Sequence, residues 1–110
     1  MLTPGRKAVN SPVRIAANFQ DDMRTDIDPD TVTFKIMSPS GTIASYAYGT
    51  DAELVKASTG DYYIDYTPNA SGRWSYRWES TGSNEAIAIE GSFVVQFSQF
   101  YEGAVDAYRS

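Results

Sequence analysis

The chain has 110 residues, 42% of them hydrophobic and 14% aromatic, which suits one domain with one modest core and excludes a disordered chain. Its formal net charge is −5, and its nine basic residues are scattered, so no nucleic-acid partner is predicted because phosphate binding needs a basic stripe. The sequence has no cysteine and no histidine, which excludes a thiolate metal site and a histidine general base. We therefore predict a non-enzymatic protein without cofactor or metal.

The N-terminal stretch, residues 1–11, shows no alternation of apolar and polar side chains and is predicted to form an arm. It has no apolar segment after its basic residues, so we expect no secretory signal here. No apolar run in the chain approaches the roughly 20 residues that span a bilayer. No membrane partner is therefore expected.

Residues 12–97 alternate with a period of two between turns rich in Gly, Pro, Asn, Asp and Ser, which predicts short β-strands. "PVRIAANF" and "DTVTFKIM" each have one clearly apolar face. "TIASYAY" (42–48) is β-prone without a clear face, and "ELVKA" (53–57) is a weak strand expected at a sheet edge. The apolar faces of the first two strands carry Val13, Ile15, Ala17, Phe19, Val32, Phe34 and Ile36.

The next two predicted strands contain most of the aromatic residues of this region. "DYYIDY" places Tyr62, Ile64 and Tyr66 on one face, and "RWSYRWE" places Trp74, Tyr76 and Trp78 on one face. The last strand, 87–97, keeps one apolar parity, interrupted at Gly91, which predicts either a bend there or the close approach of another backbone or a ring.

The direction of the rings at 74, 76 and 78 follows from their neighbours. The opposite face of that strand carries Arg73, Arg77 and Glu79, whose unpaired burial would cost several kcal/mol each. We therefore predict that the rings form core. About seven strands with turns roughly every ten residues favour a sandwich of two antiparallel sheets, with a small barrel as the alternative.

The segment "DDMRTDIDPDT" holds five aspartates, and the spacing of Asp26, Asp28 and Asp30 resembles the start of a calcium-binding loop. The pattern then fails, because Thr31 stands where that loop needs glycine and Met37 where it needs glutamate. We expect a solvated loop, and cation binding in Asp21–Asp30 stays open.

The C-terminal stretch, residues 98–110, has aromatic residues without strand alternation and is predicted to form a second arm. We expect it either to contact a partner protein or to fold back over the end of the sandwich. Aromatic residues commonly dominate protein interfaces. The candidate partner-binding residues are Phe100, Tyr101, Val105 and Tyr108.

The motifs "DPDTV", "PSG", "TGDYY", "GRWSYR" and "EGSFVV", in this order, resemble the small immunoglobulin-like proteins of tailed-bacteriophage virions. The matching residues span about 12–97 and are turn residues and core rings. The resemblance implies an all-β, immunoglobulin-like antiparallel β-sandwich. It also implies a structural protein of the phage particle, in the capsid decoration, neck, head-tail junction or tail, made in the host cytoplasm.

Such a protein would contact other virion subunits and be homo-oligomeric or present in many symmetric copies. The alternative is a carbohydrate- or cell-surface-binding sandwich, in which exposed tyrosines stack against sugar rings. Its candidate residues are Tyr46, Tyr48 and Tyr63, because the tryptophans are assigned to the core.

Overall fold

The computed structural model describes residues 7–82 and 87–96, which form eight β-strands. Within those ranges no helix is long and apolar enough to cross a membrane. The strands form two sheets packed face to face, which confirms the predicted all-β sandwich. In chain order they are β1 (Lys7–Ala8), β2 (Val13–Asn18), β3 (Thr31–Met37), β4 (Ile43–Ala47), β5 (Leu54–Ser58), β6 (Asp61–Tyr66), β7 (Gly72–Thr81) and β8 (Ile87–Gln96).

The large sheet has five strands in the order β1-β8-β7-β3-β4, and the small sheet has three in the order β2-β6-β5. Neighbouring strands are antiparallel except for β1, which runs parallel to β8. The weak strand predicted from "ELVKA" is β5, and it lies at an edge as expected. Strand β4 forms an edge of the large sheet.

The end of the predicted N-terminal arm lies along the large sheet of the same chain. Lys7 and Ala8 are aligned with Val95 and Gln96 of β8. The Asn10 amide then donates a 2.8 Å hydrogen bond to the carbonyl oxygen of Pro68. The chain thereby passes from the large sheet to β2 of the small sheet.

Side-chain parity places the tryptophans as predicted. Trp74 and Trp78 are 2% and 0% exposed, and the Tyr76 ring is half-buried against Phe34. Each buried ring stabilises the fold by roughly 2–3 kcal/mol through removal of apolar surface from water. The buried apolar core consists of Val13, Ile15, Ala17, Phe19, Val32, Phe34, Ile36, Leu54, Tyr62, Ile64, Trp74, Trp78 and Val95.

The two indole N–H groups differ in their hydrogen bonding. Trp74 Nε1 donates to the carbonyl oxygen of Ala70 at 3.0 Å, so this donor reaches a loop as expected. Trp78 Nε1 is buried without a partner among the described residues, and so is the hydroxyl of Ser80, two positions further along β7. Within the part of the chain that the structure describes, this segment of β7 therefore holds two buried polar groups without a hydrogen-bond partner.

Candidate interaction surfaces

The predicted C-terminal contact residues, Phe100, Tyr101, Val105 and Tyr108, lie outside the described residues. Their role stays a prediction. The surfaces that the structure does describe are the outer faces of the two sheets and the aspartate-rich loop between β2 and β3.

The three tyrosines proposed for sugar stacking lie in different environments. Tyr46 points into the sandwich, where its ring centroid is 6.4 Å from Phe34 and 6.5 Å from Tyr66. Burial raises the pKa of the Tyr46 hydroxyl. Tyr48 is 47% exposed, and its ring meets that of Tyr62 edge-on at 5.3 Å. The Tyr46 ring is therefore partly covered by the core, whereas Tyr48 remains accessible.

Tyr63, the third of these tyrosines, lies on the outer face of the small sheet beneath an arginine. The guanidinium carbon of Arg14 is 3.9 Å from the centroid of the ring, a cation–π arrangement. Arg14 also donates two hydrogen bonds to Asp65, of 2.8 and 2.9 Å. These bonds lower the pKa of Asp65 and keep it ionised. One face of Tyr63 is therefore already occupied.

Beside Tyr63, the outer face of the small sheet forms a shallow depression of about 450 Å³. Alanines line its floor, and Ala16 lies directly opposite Tyr63 in the register. The polar side is formed by Asn18, whose amide donates to Asp61 at 2.6 Å. Hydrogen bonds from Ser58 and Asn18 lower the pKa of Asp61. An aromatic edge, a small apolar floor and polar groups therefore meet in one place.

The outer face of the large sheet carries a ladder of alternating charges across β3, β7 and β8. Glu79 accepts from Arg77 Nε at 2.6 Å through one oxygen and lies 3.1 Å from Lys35 Nζ through the other. Arg77 also contacts Glu90 at 2.5 Å. The hydrogen bonds from Arg77 and Lys35 lower the pKa of Glu79, and those to Glu90 and Glu79 raise the pKa of Arg77. These charges are thus held in fixed positions on the sheet.

Next to this ladder the same face carries an exposed apolar pair. Met37 of β3 and Ile43 of β4 lie directly opposite each other and are 40% and 62% exposed. Together with Lys35, Arg77 and Glu90 they line a concave area of about 450 Å³. The sequence did not indicate this patch, because the face of "TIASYAY" was ambiguous. Met37 lies on the exposed face of β3, so the patch could have been predicted if the pairing of Met37 with Ile43 had been known.

The aspartate loop uses its carboxylates separately. Asp28 accepts from Lys56 Nζ at 2.6 Å and from the backbone amide of Gly60 at 2.9 Å, and these two bonds lower its pKa. Asp26 accepts from the amide groups of Asn18 and Gln20. Among residues 7–82 and 87–96, no group of three or more acidic residues is arranged to hold a metal ion. The loop instead joins β2, β5 and β6.

Several solved structures are similar to this chain. The Lin-41 filamin domain has a TM-score of 0.64 at 12% identity, and the match covers 86% of this chain and 85% of that one. CopC from Methylosinus trichosporium has a TM-score of 0.58 at 16% identity, over 88% of this chain and 90% of that one.

A protein from Bacteroides vulgatus named as a glycoside hydrolase has a TM-score of 0.56 at 13% identity, and the match covers 84% of this chain but 16% of that one. No protein-family model matches the sequence, and the comparison with curated proteins gave no match. At these identities the likeness shows an immunoglobulin-like, filamin-type β-sandwich and nothing of its function. None of the three is named as a phage protein.

Proposed function

We propose that the chain is a non-enzymatic assembly module, a rigid sandwich that acts through protein–protein contacts. The observation that supports this most directly is the outer face of the large sheet, where the exposed Met37–Ile43 pair borders the charge ladder. An apolar centre with fixed charges at its rim is the usual composition of a protein contact surface. The core beneath it, which contains Phe34 and Trp78, keeps this face rigid.

Three carboxylates on the described surfaces also support an assembly role. The pKa values of Asp28, Asp65 and Glu79 are all lowered, in each case first by a hydrogen bond from a cationic side chain. A carboxyl group that acts as a general acid near neutral pH needs the opposite shift, since it must hold its proton. These side chains are suited to pairing and to fixing neighbouring elements.

The finer proposal is a structural protein of a tailed-phage virion. It is supported by the order of the motifs from "DPDTV" to "EGSFVV" in the sequence. The test is immunogold electron microscopy of the phage particles whose genome encodes the chain, with antibodies against the purified protein. We expect gold at one fixed position on the particles. Recovery of the chain in the soluble fraction, with unlabelled particles, would contradict the virion role.

Removal of residues 98–110 tests whether the predicted C-terminal arm makes the contacts. We expect the truncated chain to keep its melting temperature and to be lost from purified particles. A second variant, the full-length chain with Phe100→Ser and Tyr108→Ser, tests the aromatic side chains without shortening the chain. It should also be lost from the particles. A large fall in melting temperature for the truncated chain would instead place this segment in the fold.

A second candidate function, glycan binding, is favoured by the depression beside Tyr63, where a ring edge, alanines and the Asn18–Asp61 pair meet. A glycan array with the purified chain would detect it. Tyr63→Ala should abolish binding without changing the melting temperature, while Ile43→Ala, at an exposed residue on the outer face of the large sheet, serves as the control. Equal binding by wild type and Tyr63→Ala would rule out this site.

A further inference from the structure

Strand β4 differs from the other edges of the two sheets in carrying no charge. Residues 42–50, "TIASYAYGT", contain no Asp, Glu, Lys or Arg. The edge strand β2 contains Arg14, and the edge strand β5 contains Lys56 and an irregular register. Charged side chains and bulges are the usual means by which proteins prevent pairing at an exposed edge. Within the described residues, β4 has neither.

The hydrogen-bond pattern shows which backbone groups of β4 face outward. The Ser38 amide donates to the carbonyl oxygen of Thr42, and the Tyr48 amide donates to the carbonyl oxygen of Val32, at the two ends of the β3–β4 ladder. In an antiparallel pair, hydrogen-bonded positions alternate, so the even-numbered residues of β4 bond to β3. The odd-numbered residues, Ile43, Ser45 and Ala47, therefore direct their N–H and C=O groups away from the sheet.

Independent contacts confirm this direction at Ala47. Its amide donates to the Asp51 carboxylate at 2.9 Å, and its carbonyl accepts from the Asp51 amide at 2.9 Å. The following turn thus satisfies Ala47. For Ile43 and Ser45, the described residues provide no backbone partner on this side.

We propose that this edge pairs with β4 of a second copy of the chain, in antiparallel orientation, with the twofold axis at Ala44. Ile43 of each copy then lies opposite Ser45 of the other, and each such pair exchanges two N–H···O bonds. A twofold interface is self-complementary in this way because the same patch serves both partners. The central Ala44 pair is small enough for the close approach of a non-hydrogen-bonded position.

The side chains support a second copy as the occupant. With Ala44 at the axis, the two Ile43 side chains lie diagonally adjacent on the outer face, and each continues the apolar patch of its own Met37. The chain carries a net charge of −5, which opposes self-association, but pairing at β4 brings no charged strand residues together. Lys35, the nearest cation in the register, is paired with Glu79 on the far side.

The test is sedimentation velocity of the purified full chain over a concentration series, since a short edge contact predicts a Kd of about 10 µM to 1 mM. We expect the 12.1 kDa monomer to shift toward twice that mass as concentration rises. Ile43→Lys should keep the chain monomeric with an unchanged melting temperature, because its side chain is exposed. Met23→Lys is the matched control: it places the same charge at an 83% exposed loop residue and should leave the dimer intact.

A charge-swap experiment tests the register. Ile43→Lys and Ile43→Glu should each be monomeric alone and should associate when mixed, because the two side chains lie diagonally adjacent across the axis. The proposal is overturned if the wild type stays monomeric at about 1 mM, if Ile43→Lys dimerises as well as Met23→Lys, or if the mixture gains nothing. The contact concerns the purified chain and does not depend on the assembly role proposed above.

Discussion

Gly91 leaves a gap on the inner face of β8 that the Tyr76 ring fills. The two residues lie directly opposite each other on β7 and β8, and a Cβ atom at position 91 would come within 2.5 Å of the ring carbon Cζ. The glycine at position 91 therefore marks the close approach of a ring, which is one of the two outcomes that the sequence predicted. We expect Gly91→Ala to destabilise the fold by about 1–3 kcal/mol, because the ring must move out of a packed position. Urea unfolding measures the change.

A double-mutant cycle isolates this contact. In a Tyr76→Leu background the ring is gone, and Gly91→Ala should then cost little. An equal cost in both backgrounds would show that the glycine is needed for another reason.

At the scale of elements, Asp28 joins the loop after β2 to β5 through Lys56 and to the β5–β6 turn through Gly60. Its pKa lies below the ordinary value of 3.8 in the folded chain. The stabilisation by the ionised Asp28 carboxylate is therefore fully present above its ordinary pKa and is lost as the pH falls through the lowered pKa of the folded chain. Asp28→Asn should be less stable than the wild type near pH 7, and the difference should be smaller near about pH 2.

Denaturant unfolding at both pH values measures this difference. Asp22→Asn, an exposed aspartate of the same loop, is the matched control and should follow the wild type at both. An undiminished difference at low pH would mean that Asp28 acts through packing and not through its charge.

The elements also show what the sequence could predict. Strict alternation in "PVRIAANF" and "RWSYRWE" predicted the buried faces of β2 and β7, because charged neighbours cannot replace the apolar residues inside. "TIASYAY" gave no such contrast, so the inward turn of Tyr46 and the exposure of Ile43 appear only once β4 is paired with β3. Pairing and edge position depend on contacts between distant segments. For the same reason the Asp28–Lys56 ion pair had no local signal.

At the scale of the whole molecule, two sheets enclose one core in which both tryptophans are buried. The aromatic residues link the sheets: Trp78 meets Phe19 of the small-sheet side at 6.5 Å, and Trp74 meets Tyr66 at 5.6 Å. The assembly role and the pairing of β4 both require this core to hold the outer face of the large sheet rigid. Inward orientation of the two indoles is therefore the central claim.

Acrylamide quenching of tryptophan fluorescence tests it most directly, because the chain has two tryptophans and acrylamide carries no charge to be repelled. We predict a blue-shifted emission and weak quenching in the native chain, both lost on unfolding in denaturant. Quenching in the native chain as strong as in the unfolded chain would show Trp74 and Trp78 in contact with water and would contradict the sandwich described above.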